Sequence, residues 1–254
     1  MSLPVLILGG TTEARALAGR LAERGDCAVT LSLAGRTRAP AAQGVPVRVG
    51  GFGGAGGLGA HLRSSDTALL IDATHPFAAQ ISRNAVEAAA ATGVPLLALR
   101  RPAWEAVAGD RWFEVKSVAE AVGGLGQAPR RVFAALGRQE LEPIQDAPQH
   151  FWLVRSVDPV EPKLRVPDAA YVLDRGPFPL DAERLLLREH RIDALLCKNS
   201  GGTASAAKLQ AARELSLPVF MVRRPTSAGG EAVGSVGEAV AWVGQRLASA
   251  KRGA

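Results

Sequence analysis

The chain has 254 residues, 47% of them hydrophobic and 5% aromatic, and a formal net charge of +6 at pH 7. That length buries a real core and allows one large or two small domains, and no run of 18 apolar residues is present to span a membrane. The basic residues are scattered along the chain without interleaved aromatics, which argues against a nucleic-acid surface and fits a small polyanionic ligand.

The two cysteines, Cys27 and Cys197, lie far apart in apolar segments, as reduced buried thiols of a cytoplasmic protein would. His61, His75, His150 and His190 show no metal-ligand spacing, so no metal is expected. Met1-Ser2-Leu3-Pro4 runs straight into a strand pattern, and no basic leader is read there.

In chain order, Pro4–Leu8 reads as a strand, Thr12–Arg24 as a helix, Cys27–Leu33 as a strand and Val45–Val49 as a short strand. A helix near Leu58–Arg63, a strand Ala68–Ile71, a helix Ala78–Ala91 and a strand Pro95–Leu99 follow. Arg100-Arg101-Pro102-Ala103-Trp104 interrupts the alternation and reads as a crossover. Beyond it come strand Arg111–Val115, helix Val118–Leu125, strand Arg131–Ala135 and a short helix from Gln139. Strands Phe151–Arg155 and Ala170–Leu173, helix Asp181–His190, strand Asp193–Cys197, helix Thr203–Leu215, strand Pro218–Val222 and helix Val236–Ser249 complete the chain. Fully apolar strands separated by helices imply parallel sheets covered on both faces. The expected fold is therefore α/β, with two Rossmann-like domains, residues 1–100 and 101–254, whose parallel sheets are flanked by helices. An active-site cleft is expected between them.

Ligands in such sheets bind beyond the carboxyl ends of the strands, so those loops carry the candidate chemistry. Leu8-Gly9-Gly10-Thr11-Thr12-Glu13 stands where a dinucleotide fold grips phosphate, although it lacks the third glycine of the usual fingerprint. Its glycines permit close approach of a pyrophosphate, and Thr11 and Thr12 offer hydroxyl donors; Thr12 read simply as a helix N-cap is the alternative. The second loop, Ser32-Leu33-Ala34-Gly35-Arg36-Thr37-Arg38, has no carboxylate for ribose hydroxyls but offers two arginines for a 2′-phosphate. It points to NADP rather than NAD, or else it is a solvated basic loop. Gly51-Phe52-Gly53-Gly54-Ala55-Gly56 matches a phosphate fingerprint literally, yet its further glycines make it read as a mobile connector.

Asp72-Ala73-Thr74-His75-Pro76-Phe77-Ala78 follows the fourth strand, with Pro76 disfavouring helix at His75. Thr74 and His75 lie where a nicotinamide ring reaches in this topology; a helix start with Pro76 in its first turn is the alternative. In the second half, Gly137-Arg138, Arg175 and Lys198-Asn199-Ser200-Gly201-Gly202 sit at turns, and Lys208 follows on the next helix. Five lysines stand beside 25 arginines, and two of the five are Lys198 and Lys208. Together these cations suit a multi-carboxylate ligand, whereas a plain strand-to-helix turn is the bland reading of residues 198–202.

Taken in order, Leu8-Gly9-Gly10-Thr11-Thr12-Glu13-Ala14, Asp72-Ala73-Thr74-His75-Pro76-Phe77-Ala78, Arg175-Gly176-Pro177-Phe178, Lys198-Asn199-Ser200-Gly201-Gly202 and the closing Arg223-Arg224-Pro225 resemble the motifs of the precorrin-6A reductase family over essentially the whole chain. The resemblance implies NADPH-dependent reduction of precorrin-6A to precorrin-6B in cobalamin biosynthesis, with hydride added at C19 and a proton at C18. It implies a cyclic tetrapyrrole substrate bearing many carboxylates; a monomer or weak homo-oligomer is expected, and composition and charge point to no nucleic-acid or membrane partner. Gly9, Gly10, Thr11, Thr12, Glu13, Ser32, Gly35, Arg36, Thr37, Thr74, His75, Pro76 and Phe77 are then the expected cofactor contacts. Gly137, Arg138, Arg175, Lys198, Asn199, Ser200, Gly201, Gly202 and Lys208 are the expected substrate contacts. His75 and Lys198 are the candidate proton donors, with solvent or a substrate acid as alternatives. A cobalt-containing substrate and a non-catalytic NADP- or tetrapyrrole-binding protein remain as other readings. A short-chain dehydrogenase does not fit, because the single tyrosine, Tyr171, is followed four residues on by Arg175 and not by a tunable lysine.

Overall fold

We describe residues 2–35 and 43–252 of a computed structural model. The chain forms two compact units, Met1–Pro102 with Pro225–Ala254, and Ala103–Arg224.

The first unit holds β1 (Leu3–Leu8), α1 (Thr12–Ala22), β2 (Cys27–Leu33), β3 (Val47–Val49), α2 (Gly54–Ser64), β4 (Leu69–Asp72), α3 (Ala79–Thr92) and β5 (Leu96–Leu99). Side chains alternate across a strand, so a strand buried on both faces must be apolar throughout. β1 shows this directly: Val5 and Ile7 pack with Leu17 and Leu21 of α1, while Leu6 and Leu8 pack with Leu58 and Leu62 of α2 and Ala85 and Ala88 of α3. Each fully buried Leu or Ile contributes about 1.5–3 kcal/mol.

The second unit holds β6 (Arg111–Val115), α4 (Val118–Gly124), β7 (Arg131–Ala135), 3-10 turns over Arg138–Glu140 and Glu142–Asp146, β8 (Phe151–Ser156), β9 (Ala169–Leu173), α5 (Leu180–Glu189), β10 (Ala194–Lys198), α6 (Ala207–Glu214) and β11 (Pro218–Val222). One side of its sheet packs Phe133, Leu153, Leu195 and Met221 against Leu187 of α5 and Leu209 of α6. The indole of Trp152, fully buried, donates to the Ala147 carbonyl at 3.1 Å.

The remaining elements, β12 (Glu231–Val233) and α7 (Val236–Arg252), belong to the first unit. β12 pairs in parallel with β5, and Ala239, Trp242, Val243 and Leu247 of α7 join the core that α1 covers. Residues 101–254 do not therefore form one domain as expected: the chain leaves the first unit after Pro102 and returns to it at Pro225. Three residues, two of them exposed, make too short and polar a strand to show a pattern, and α7 is amphipathic enough to suit either sheet.

Both sheets are parallel, in the orders β3-β2-β1-β4-β5-β12 and β9-β8-β7-β10-β11-β6. In each, sequence order reverses next to the first central strand, between β1 and β4 and between β7 and β10. These are the two switch points at which such sheets open a crevice beyond their carboxyl ends.

Several local expectations change. The N-cap of α1 is Thr11, whose hydroxyl accepts from Ala14 N at 3.0 Å, and Thr12 is the first helical residue. α3 begins at Ala79, so Pro76 is not in its first turn. The glycine run read as a mobile connector is helical from Gly54 onward. Gly57 there is required by close packing, since a Cβ would lie 1.7 Å from the Phe52 carbonyl oxygen. α6 begins at Ala207 and not at Thr203, with turns between.

Candidate active site

At the switch point of the first unit, Leu8, Gly9, Ser32, Ala34, Phe52 and Thr74 are among the residues lining a pocket of about 620 Å³, open solvent at its mouth included. Gly9 N donates to the Ser32 carbonyl at 2.8 Å, which presses the loop after β1 onto the end of β2. A Cβ on Gly9 would lie 2.6 Å from Leu31 Cδ1, so a larger residue would have to displace Leu31, and glycine leaves the backbone bare. The first turn of α1 begins beside it and carries the partial positive charge of a helix N-terminus. Bare backbone, a helix N-terminus and a largely apolar pocket suit a dinucleotide.

The two threonines of this loop differ in what they leave free. Thr11 Oγ1 donates to the Ala73 carbonyl at 2.9 Å while capping α1, so its proton is committed inside the protein. Thr12 is exposed at the first turn and keeps the expected role open. Glu13 ion-pairs with Arg101 at 2.7 Å, which offsets its negative charge in the first turn of α1. Gly35 ends the described stretch of the second loop, and Arg36, Thr37 and Arg38 lie outside the described residues.

The turn after β4 is braced from several sides. Asp72, 2% exposed, accepts from Thr74 N at 3.1 Å and Thr74 Oγ1 at 2.6 Å. Its other oxygen pairs with Arg100, which also donates to the Asp72 carbonyl at 2.7 Å and to Ser82 Oγ at 2.8 Å. His75 Nδ1 accepts from Phe77 N at 3.3 Å, so the proton of a neutral ring sits on Nε2. The Phe77 ring lies tilted against His75, centroids 5.8 Å apart, and Pro76 is half-buried between them in sequence. Also lining the pocket, Phe52 carries the Arg48 guanidinium 3.8 Å over its ring and packs against His61 at 5.2 Å. Burial first, and Arg48 second, hold the His61 pKa below its ordinary value.

At the switch point of the second unit, the loops after β7 and β10 meet. Lys198 Nζ pairs with Glu140, whose other oxygen accepts from Gly137 N at 2.9 Å. Arg138 reaches the Pro159 carbonyl at 3.3 Å and Asp158 at 3.8 Å. Arg175 is exposed, its backbone N–H held by Asp174 at 2.7 Å. Gly201 and Gly202 take positive φ, 67° and 77°, which closes the turn after Ser200.

Asn199 of this turn and Lys208 of α6 do structural work. Asn199, 7% exposed, exchanges hydrogen bonds of 2.8 Å with both the N–H and the carbonyl of Trp104. Lys208 is 4% exposed, donates to the Ser205 carbonyl at 2.6 Å and sits 4.6 Å over the Trp104 ring. The expectation of Lys208 as a substrate contact meets a buried cation packed on an indole. The carbonyls of Asn199 and Ser200 accept from Arg224 at 2.8 and 3.0 Å, and that of Gly202 from the Trp104 indole at 2.8 Å.

Sequence reasoning passed over Asp72, Arg100, Glu140, Trp104 and Arg224 as organisers of these loops. Arg100 and Arg224 had one visible signal, since each follows an apolar strand at its carboxyl end. Their partners are remote in sequence, and no spacing rule reports them. Among the described residues, no cluster of three or more His, Cys, Asp or Glu side chains could hold a metal, and no helix is long and apolar enough to cross a membrane.

The model of the family described as Precorrin-6x reductase CbiJ/CobK matches residues 4–244. A precorrin-6A reductase from Sinorhizobium sp is 53% identical over 246 residues, covering 97% of this chain and 94% of that one. The solved structure of a CobK precorrin-6A reductase superposes with a TM-score of 0.92 at 48% identity, covering 96% of each chain. A cobalt-precorrin-6A reductase from Methanothermobacter thermautotrophicus is 31% identical over 242 residues, covering 91% of this chain and 80% of that one. With the family model matched over residues 4–244 and a relative 53% identical over 97% of it, the chain belongs to the precorrin-6x reductase family.

Proposed function

We propose that this enzyme reduces precorrin-6A to precorrin-6B with NADPH, as a step of cobalamin biosynthesis. The observation that carries the reading is the 53% identity, over 97% of the chain, to a protein named for that activity. The metal-free macrocycle is preferred because the relative named for the cobalt-containing substrate stands at 31%. Two buried free thiols fit the reducing cytoplasm in which we place the enzyme.

When bound, the dihydronicotinamide supplies the hydride for C19. The chain's own part is to bind, orient and hold protons. Gly9, Gly10 and the start of α1 take the pyrophosphate, and Ser32, Gly35, Arg36 and Thr37 take the adenosine side with its 2′-phosphate. His75, Pro76 and Phe77 border the nicotinamide, and Thr74 lines the nucleotide pocket. In the second unit Arg138, Arg175 and Lys198 receive substrate carboxylates, with Gly137, Ser200, Gly201 and Gly202 offering backbone beside them. Each charge-assisted bond contributes about 1.5–3 kcal/mol. Lys198 and His75 are the candidate side-chain donors of the proton for C18, with solvent or a substrate acid as the alternatives.

Anaerobic incubation with precorrin-6A and NADPH tests the reading. NADPH absorbance should fall one-for-one with the change in macrocycle absorption, with cobalt-precorrin-6A turning over more slowly. A protein that binds both ligands and leaves the macrocycle spectrum unchanged would sink it.

A further inference from the structure

Thr74 is the one side chain of the β4 turn that both lines the first unit's pocket and is nearly buried, at 5% exposure. Its hydroxyl lies 2.6 Å from a carboxylate oxygen of Asp72 that the Thr74 N–H also reaches. Asp72 is ion-paired with Arg100, so its oxygens only accept, and the threonine proton must point at them. What remains for a ligand is the lone pairs of Oγ1. Arg100 in turn cannot drift, because it is tied to the Asp72 carbonyl and Ser82 Oγ as well, and its backbone N–H donates to the Val233 carbonyl at 2.9 Å. A threonine hydroxyl normally rotates to suit its ligand; this one is held in a single role.

We infer that Asp72 and Arg100 are positioning residues that fix Thr74 Oγ1 as a hydrogen-bond acceptor for an N–H donor of the bound nicotinamide nucleotide. The donor is either the nicotinamide carboxamide or the adenine amino group. The inference rests on the proposed NADPH reading of the pocket and adds a specificity determinant to it. A ligand presenting a carbonyl at that place would meet lone pairs instead of a proton, and would be rejected.

Fluorescence titration of the free enzyme with NADPH, without macrocycle, tests this. Thr74→Val should weaken NADPH about tenfold, the range one net hydrogen bond gives, while Thr74→Ser stays within about twofold. Two analogues identify the donor: acetylpyridine adenine dinucleotide phosphate lacks the carboxamide N–H, and nicotinamide hypoxanthine dinucleotide phosphate lacks the adenine amino group. One of them should lose about tenfold against the wild type and almost nothing further against Thr74→Val. Arg100→Lys should weaken NADPH and narrow the wild-type discrimination against that analogue, a change that a loss of stability alone would not produce. If both analogues are discriminated equally by wild type and Thr74→Val, the inference fails while the NADPH reading stands. If the wild type does not bind NADPH at all, both fall.

Discussion

The Arg155–Glu183 pair in the second unit gives the sharpest stability prediction. Their side chains are 6% and 2% exposed, and the Arg155 guanidinium lies between the rings of Phe133 at 4.9 Å and Phe178 at 3.7 Å. The second oxygen of Glu183 has no partner among the described residues, so the pair is desolvated without being fully satisfied. Removing one member strands the other charge, which costs about 3–5 kcal/mol. Glu183→Leu should thus lower the urea midpoint of this unit by about 1.5–2.5 M, taking a slope of ~2 kcal/mol/M. Arg155→Met combined with Glu183→Leu removes both charges and should recover most of that loss, since apolar replacement of a buried pair is often neutral or better. Tryptophan fluorescence reports the transition, with Trp104, Trp112 and Trp152 in this unit and Trp242 in the other. Because Phe178 belongs to the turn that carries Arg175, Glu183→Leu should also raise KM for the macrocycle. The reasoning is refuted if the double variant loses the sum of the two single losses, which would mean that the charges do not interact.

Other outcomes follow from single positions. Lys198→Ala should raise KM for the macrocycle about 10- to 100-fold, as loss of one charge-assisted bond does, with NADPH affinity unchanged in a fluorescence titration. Gly57→Ala forces a Cβ to within 1.7 Å of the Phe52 carbonyl; thermal melting should drop, and NADPH affinity should fall as Phe52 shifts. His150, whose Nδ1 accepts from Arg130 N at 3.2 Å, has its pKa lowered by burial first and by the Arg130 charge second. The unfolded chain therefore takes up that proton before the folded one, so stability is full above the ordinary value of 6.5 and declines as pH falls below it. Urea midpoints at pH 7 and pH 5 should differ less in His150→Gln than in the wild type. Burial first, and the Asp26 hydrogen bond second, push the Cys27 thiol up to about 11. Iodoacetamide at pH 8 should leave Cys27 unmodified until urea unfolds the first unit, and early labelling would contradict its burial.

The amino-acid sequence by itself determined the alternation of strand and helix, because burial on both faces demands unbroken apolar strands such as Val5–Leu8 and Ala194–Cys197, while the helices between them carry apolar residues on one side. It also marked the loops that matter. Gly9, Thr74, His75 and Lys198 stand at strand ends, where such sheets place their ligands and where a polar ring or a cation adds nothing to the apolar core. The partners of those residues were not legible. Asp72 with Arg100, Glu140 with Lys198 and Asn199 with Trp104 are separated by 28, 58 and 95 positions, and a hydrogen bond over such a span leaves no periodicity to read. The return of β12 and α7 to the first sheet was equally hidden, since edge pairing uses backbone groups that every residue possesses. Tertiary structure alone decided that Lys208 is a buried cation on Trp104 and that the Thr74 proton belongs to Asp72. Both depend on which groups the folded chain withdraws from water, where a charge or a donor must find its partner in the protein.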